Sequence, residues 1–161
     1  MQFSVADQGS PIATKFKTLW KYYLLQTALA TCVLLVILLV FGKEKMVITS
    51  AIGASTFIVF AMPQSHTAKT RNVIGGHLLG LATGWLCHFT GLPYYLNYPL
   101  AVGTAMLLMV ALDVEHAPAA GTALAMAINE ISSGVFVTLM TTMLVLTQCR
   151  YYLRRHLKNL L

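Results

Sequence analysis

The sequence predicts an all-α membrane protein: a compact bundle of four full transmembrane helices plus short or broken segments, or six short crossings in two inverted halves, with both termini cytoplasmic. Three observations predict it. The 161 residues are 57% hydrophobic and only 10% charged, whereas a soluble domain needs roughly 25% charged residues to coat its surface. The uncharged runs are long enough to cross a bilayer core of about 30 Å at roughly 1.5 Å per residue. The cations gather at the chain ends and in short gaps between those runs, where topology and lipid headgroups place them.

The first crossing lies between Lys21 and Lys43, centred on the apolar run Cys32–Phe41. Lys15, Lys17 and Lys21 precede it as a signal peptide's basic region would, yet it ends in Phe41-Gly-Lys-Glu-Lys45 rather than at small residues suited to cleavage. It reads as a retained helix. The second segment, Met46 to Met62, is short and stops at Pro63 and the polar Gln64-Ser-His-Thr67. Asn72 to Leu112 has no formal charge and accommodates two crossings, with Gly91–Pro99 as the turn between them and Tyr94, Tyr95 and Tyr98 as an interfacial belt. The fourth run, Leu100 to Leu112, is interrupted by Asp113-Val-Glu-His-Ala-Pro118, and the apolar residues 119–128 after it are too few to cross comfortably. Ile131 to Cys149 suffices for a last crossing, followed by the aromatic and basic Arg150–His156. The chain thus divides into a basic N-terminal segment (1–21), a transmembrane domain (22–149) and a basic C-terminal tail (150–161).

Orientation follows from the distribution of Lys and Arg. An even number of crossings puts Lys15, Lys17, Lys21, Lys69, Arg71, Arg150, Arg154, Arg155 and Lys158 on the cytoplasmic side and leaves Lys43 and Lys45 outside. The same scattered distribution, despite the net charge of +6, argues against nucleic-acid binding. Cys32, Cys87 and Cys149 are odd in number and isolated, so no disulfide framework is expected.

Gly76, Gly80 and Gly84 recur every fourth residue in the third helix and invite close backbone approach by a neighbour, with Ser50, Gly53 and Ala54 as one candidate facing surface. Two interruptions, Met62–His77 and Asp113–Thr122, combine charged or titratable groups with a helix start. Asn72 is expected to cap the third helix with Arg71 just ahead of it, and Pro118 to occupy the first turn of a helix preceded by His116. Backbone N–H groups at such ends attract anions, and Arg71 and Lys69 would strengthen the attraction. Interrupted segments in both halves of a membrane protein also mark transporter binding sites. His77, inside the third helix, requires a polar partner or a wet cavity. Asp113, Glu115 and Glu130 are candidates for proton coupling or a cation pathway. A metal site would require His66 or His77 to converge on Asp113, Glu115 and His116, and no metal or cofactor is expected. No GxSxG, HExxH or GxxxxGK[ST] pattern is present, so no enzyme activity is expected.

Read together, the interruptions resemble the HPP family of small integral membrane proteins, named for a His-Pro-Pro motif. The corresponding residues are His116-Ala-Pro-Ala-Ala-Gly-Thr-Ala-Leu124, with Phe57–Pro63 and Arg71-Asn-Val-Ile-Gly-Gly-His77 as further matching stretches. Ala117 and Thr70 stand where the family often has proline. The resemblance, from about Tyr22 to Cys149, implies a four-helix membrane domain, and plastid and cyanobacterial members are associated with nitrite transport. It implies a transporter or channel for a small monovalent anion, nitrite above others, with Arg71, Asn72, His77, His116, Pro118 and Lys69 as the site. The expected partners are the bilayer, a small inorganic anion and further copies of the chain. The expected location is a bacterial plasma membrane. The alternatives are a membrane interaction or assembly protein that moves no solute, and a cation or proton pathway through Asp113, Glu115 and Glu130.

Overall fold

A computed structural model describes residues 12–41, 46–129 and 133–160. Among them are six α-helices and no strands: α1 (Ile12–Phe41), α2 (Met46–Ala61), α3 (Thr70–His88), α4 (Tyr94–Ala111), α5 (Ala117–Ile128) and α6 (Ser133–Leu153), with a short 3-10 turn at His66–Ala68. Two are clearly long and apolar enough to cross a membrane, Thr18–Val36 within α1 and Tyr94–Ala111. At about 1.5 Å per residue, α2 reaches roughly 24 Å and α5 only about 18 Å. Residues 119–128 therefore belong to a helix well short of the hydrocarbon thickness.

Hydrogen bonds between remote segments fix how the helices run. Leu160 N–H donates to Ala61 O, Arg150 Nε to Pro63 O and Arg71 to Leu112 O. Hence the C-terminal ends of α2, α4 and α6 share one end of the bundle with the start of α3. At the other end His88, last in α3, meets Ala127 near the end of α5. Successive helices from α2 to α6 thus alternate in direction.

The third helix starts at Thr70, two residues before Asn72, and its N-cap, Lys69, makes no side-chain capping bond. Asn72 is therefore not a cap. Its amide is buried within the first turn and turned toward the neighbouring loop. The turn before α4 ends at Pro93 and Pro99 lies inside the helix, because the interhelical turn is tighter than the Gly91–Pro99 stretch suggests. As the sixth residue of α4, Pro99 lacks the N–H that would otherwise reach the Tyr95 carbonyl, so one rung of the helix ladder is missing there.

α5 packs most extensively against α3, and the glycine ladder explains why. A Cβ on Gly80 would lie 2.4 Å from Ala119 O, and one on Gly84 2.3 Å from Ala123 O. Any side chain at these positions would force the backbones apart, so the ladder serves helix packing. Its facing surface is α5 and not the Ser50, Gly53 and Ala54 stretch, for a Cβ on Gly53 would meet nothing within 4 Å. Leu24, Leu25, Leu35, Val36 and Leu39 of α1, and Met106, Leu107 and Val110 of α4, are exposed. An apolar belt of this kind is suited to lipid and not to water.

The residues after α6 fold back onto the bundle. Leu157 and Leu160 are buried, and the Gln26 amide accepts from Lys158 N–H while donating to Lys158 O and Phe60 O. Tyr23 donates its hydroxyl to Leu160 O, and Asn159 Oδ1 accepts from Gln64 N–H. Two otherwise orphaned carbonyls at the end of α2, Phe60 and Ala61, are satisfied this way.

Candidate functional site

The two interruptions converge on one end of the bundle, where they divide into an exposed cluster and a buried relay. In the relay, α2 contributes Ser55, α3 contributes His77, α5 contributes Thr122, and His116 is the N-cap residue of α5. All four are 0% exposed. Burial at this depth obliges each polar atom to find a protein partner. Gly76 makes room for this arrangement, because its missing Cβ would lie 2.8 Å from His116 Cβ.

The partners fix which atom donates. His116 Nδ1 lies 2.8 Å from Thr67 O, a carbonyl that only accepts, so Nδ1 carries the hydrogen. In the neutral ring Nε2 is then an acceptor, and it lies 3.0 Å from Ser55 Oγ, which must donate its single hydrogen there. Ser55 Oγ in turn accepts from His77 Nε2–H, also at 3.0 Å. His77 Nδ1, left as an acceptor, receives the Thr122 hydroxyl at 2.7 Å. Four hydrogen bonds thus point one way: from Thr122 through His77, Ser55 and His116 to the Thr67 carbonyl. The two imidazole rings lie 5.0 Å apart between centroids, tilted by 60°.

Such a chain can pass a proton by successive transfers between adjacent partners, each leaving its donor ready to accept the next. It stops at Thr67 O, which anchors His116 but cannot relay. Protonation of either ring would place a positive charge beside the N-terminus of α5, where the helix already carries partial positive charge. That combination is costly in a dry interior unless an anion accompanies it.

The exposed cluster begins one residue from that anchor, at His66. Asn72 Nδ2 donates to His66 Nδ1 and to Glu115 O, both at 3.2 Å, and so ties the loop after α2 to the loop after α4. Arg71 pairs with Asp113 Oδ2 at 3.1 Å and also donates to Leu112 O at 2.8 Å. Asp113 adopts φ of 56° in this tight connection. His66 stands between the two acids, with Nε2 3.9 Å from Asp113 Oδ1 and Nδ1 3.8 Å from Glu115 Oε2.

The expected site residues therefore separate. His77 and His116 meet through Ser55, while Arg71, Asn72, Asp113 and Glu115 gather at the mouth with His66. Lys69 is exposed and supplies backbone capping, not a side-chain contact with the cluster. Pro118 is buried as the second residue of α5 and shapes the helix start beneath His116. Glu130 lies outside the described residues, as do the first eleven residues, Lys43 and Lys45. Arg71 is held in an exposed ion pair with Asp113, so an incoming anion would compete with that carboxylate for the guanidinium. Ser55, Thr122 and Thr67 complete the buried group and were not among the residues singled out as a site, while His66 was named only as a residue that could complete a metal set. The available signal was the obligation itself: two membrane-embedded histidines require hydroxyl or carbonyl partners on facing segments.

The family profile described as HPP, transmembrane region, matches residues 14–155. A transmembrane protein of Dictyostelium discoideum is 31% identical over 85 residues, covering 50% of this chain and 30% of that protein. The chain thus matches under a third of the relative's length. No solved structure matches.

Proposed function

The chain belongs to the HPP transmembrane family, and on that premise we propose that it is a transporter carrying a small monovalent anion together with a proton. The anion we propose is nitrite, following the family resemblance. The observation that supports this reading best is the one-way hydrogen-bond chain from Thr122 to Thr67 O at the N-terminus of α5. Proton and anion favour each other there, because a proton on His77 or His116 compensates the anion's lost hydration and the anion compensates the buried cation. Arg71 attracts the anion to the mouth once its pairing with Asp113 is exchanged, with Lys69 adding positive potential.

We assign the end carrying Lys69, Arg71 and Arg150 to the cytoplasm, by the excess of basic residues, and place the chain in a bacterial plasma membrane. A chain of this size encloses a gated path most readily as a homo-oligomer. No enzymatic step is part of this reading.

The test is nitrite uptake into liposomes containing the purified chain, with nitrate and formate as competitors and a pH gradient imposed in either direction. Saturable uptake that accelerates when protons flow in the same direction supports the reading. Unchanged flux in folded Arg71→Ala and His116→Ala variants would overturn the assignment of these residues. Carried positive charge instead would select the cation or proton pathway through Asp113, Glu115 and Glu130.

A second reading, an assembly protein without solute flux, draws on an apolar cleft of about 420 Å³ lined by Leu78, Leu81, Trp85, Met126 and Phe136 among others. Co-purification with a stable partner and no flux would favour it.

A further inference from the structure

We propose that His66, Asp113 and Glu115 form a binding site for a transition-metal dication of the Zn²⁺ type at the mouth of the bundle. The site is independent of the transport reading. The sequence places His116 beside the two acids, which offers too few ligands on one short segment. In the fold His116 turns inward to Ser55 and Thr67, and His66 arrives from the loop after α2 in its place.

One ligand atom from each of the three residues lies within 4.8 Å of the others. The shortest His66 separations, 3.9 Å from Nε2 to Asp113 Oδ1 and 3.8 Å from Nδ1 to Glu115 Oε2, are too long for hydrogen bonds and belong to different ring nitrogens. Two donors bound at about 2.0–2.2 Å in a tetrahedral site stand roughly 3.4 Å apart, so rotation of the Glu115 side chain toward the Nε2 edge that faces Asp113 is what brings the three onto one ion. Their exposures, 46%, 62% and 40%, leave both the freedom to rotate and an entry path with room for water as a further ligand.

The surroundings orient the set. Asn72, 1% exposed, lies with its amide 3.2 Å from His66 Nδ1 and fixes that edge of the ring; an ion takes the ring at Nε2 once the ring hydrogen sits on Nδ1 and the amide presents its oxygen to it. Arg71 engages the other Asp113 oxygen, Oδ2, and so aims Oδ1 at His66. Orienting contacts of this kind are what metal ligands require from their neighbours. One imidazole with two carboxylates suits Zn²⁺ or Co²⁺, whereas Ca²⁺ and Mg²⁺ prefer oxygen alone.

The experiment is a titration of the full-length purified protein in detergent with Co²⁺, followed by its visible absorption, and then displacement by Zn²⁺. We expect saturable binding of one ion per chain. His66→Ala and Asp113→Asn should each weaken it at least about tenfold, while His156→Ala, removing another exposed histidine, leaves it unchanged. Asparagine keeps the positive φ at position 113 accessible, and size-exclusion profiles establish that each variant is folded. Absence of saturable binding, or His66→Ala binding as well as the unmodified chain, overturns the site. Neither result depends on nitrite flux.

Discussion

His77 and His116, 39 positions apart in sequence, present their Nε2 atoms to the same oxygen, each 3.0 Å from Ser55 Oγ. One hydroxyl has one hydrogen, so it must treat the two rings differently. It donates to His116 and accepts from His77, and this asymmetry gives the buried relay its direction.

Ser55→Ala should therefore be more damaging than the loss of a small side chain suggests. It leaves the His77 N–H and the His116 lone pair without partners, at about 1–2 kcal/mol each. Ser55→Thr keeps the hydroxyl. Thermal unfolding in detergent should show a clear loss for alanine and a smaller one for threonine, and proton-coupled flux should follow the same order. Equal behaviour of the two variants would remove the hydroxyl from the mechanism.

Gly80→Ala and Gly53→Ala should have opposite signs. The first drives a Cβ to 2.4 Å from the Ala119 carbonyl and should cost at least about 2 kcal/mol. The second meets nothing within 4 Å and lies inside a helix, so it should stabilise by about 0.5–1 kcal/mol. Melting temperatures of the two variants provide the comparison.

Gln26→Ala should release the end of the chain. The buried amide joins Lys158 and Phe60, and its removal leaves those backbone groups unpaired, at about 1–3 kcal/mol. Limited proteolysis should then cut between Arg154 and Lys158 much faster than in the unmodified chain. An unchanged cleavage rate would show that Leu157 and Leu160 hold the segment by packing alone.

Arg71→Ala should separate stability from function. Arg71 and Asp113 are 63% and 62% exposed, so their ion pair should contribute no more than about 1 kcal/mol to folding. The melting temperature should move little while anion uptake falls. A large loss of stability with flux intact would make the pair structural.

Much of this arrangement was legible because membrane residence makes polar residues conspicuous. The glycine ladder, His77, and the interruption at His116 and Pro118 all stand out from apolar surroundings, and each has a definite place in the fold. Ser55 and Thr122 were not legible. A hydroxyl in an apolar helix satisfies itself readily with the backbone four residues earlier, as Thr56 does with Ile52 O, so its sequence gives no sign of a remote partner. Gln26 carried a clearer signal, since a lone amide within an apolar run must bond across the bundle, but nothing local names Lys158 as its partner. The inward turn of His116 and the arrival of His66 depend on how two loops meet, which spacing along the chain does not specify.

The backbone contact of Gly80 and Gly84 with Ala119 and Ala123 bears on how a path opens. Two helices this closely apposed resist sliding past one another, which favours keeping His77, His116 and Thr122 in fixed register on the α3–α5 pair. The fourth member of the relay, Ser55, rides on α2. In the proposed transporter, a motion that parted α2 from the pair would withdraw the hydroxyl from both rings at once and break the hydrogen-bond chain in its middle. The serine would thus tie the state of the two histidines to the position of α2.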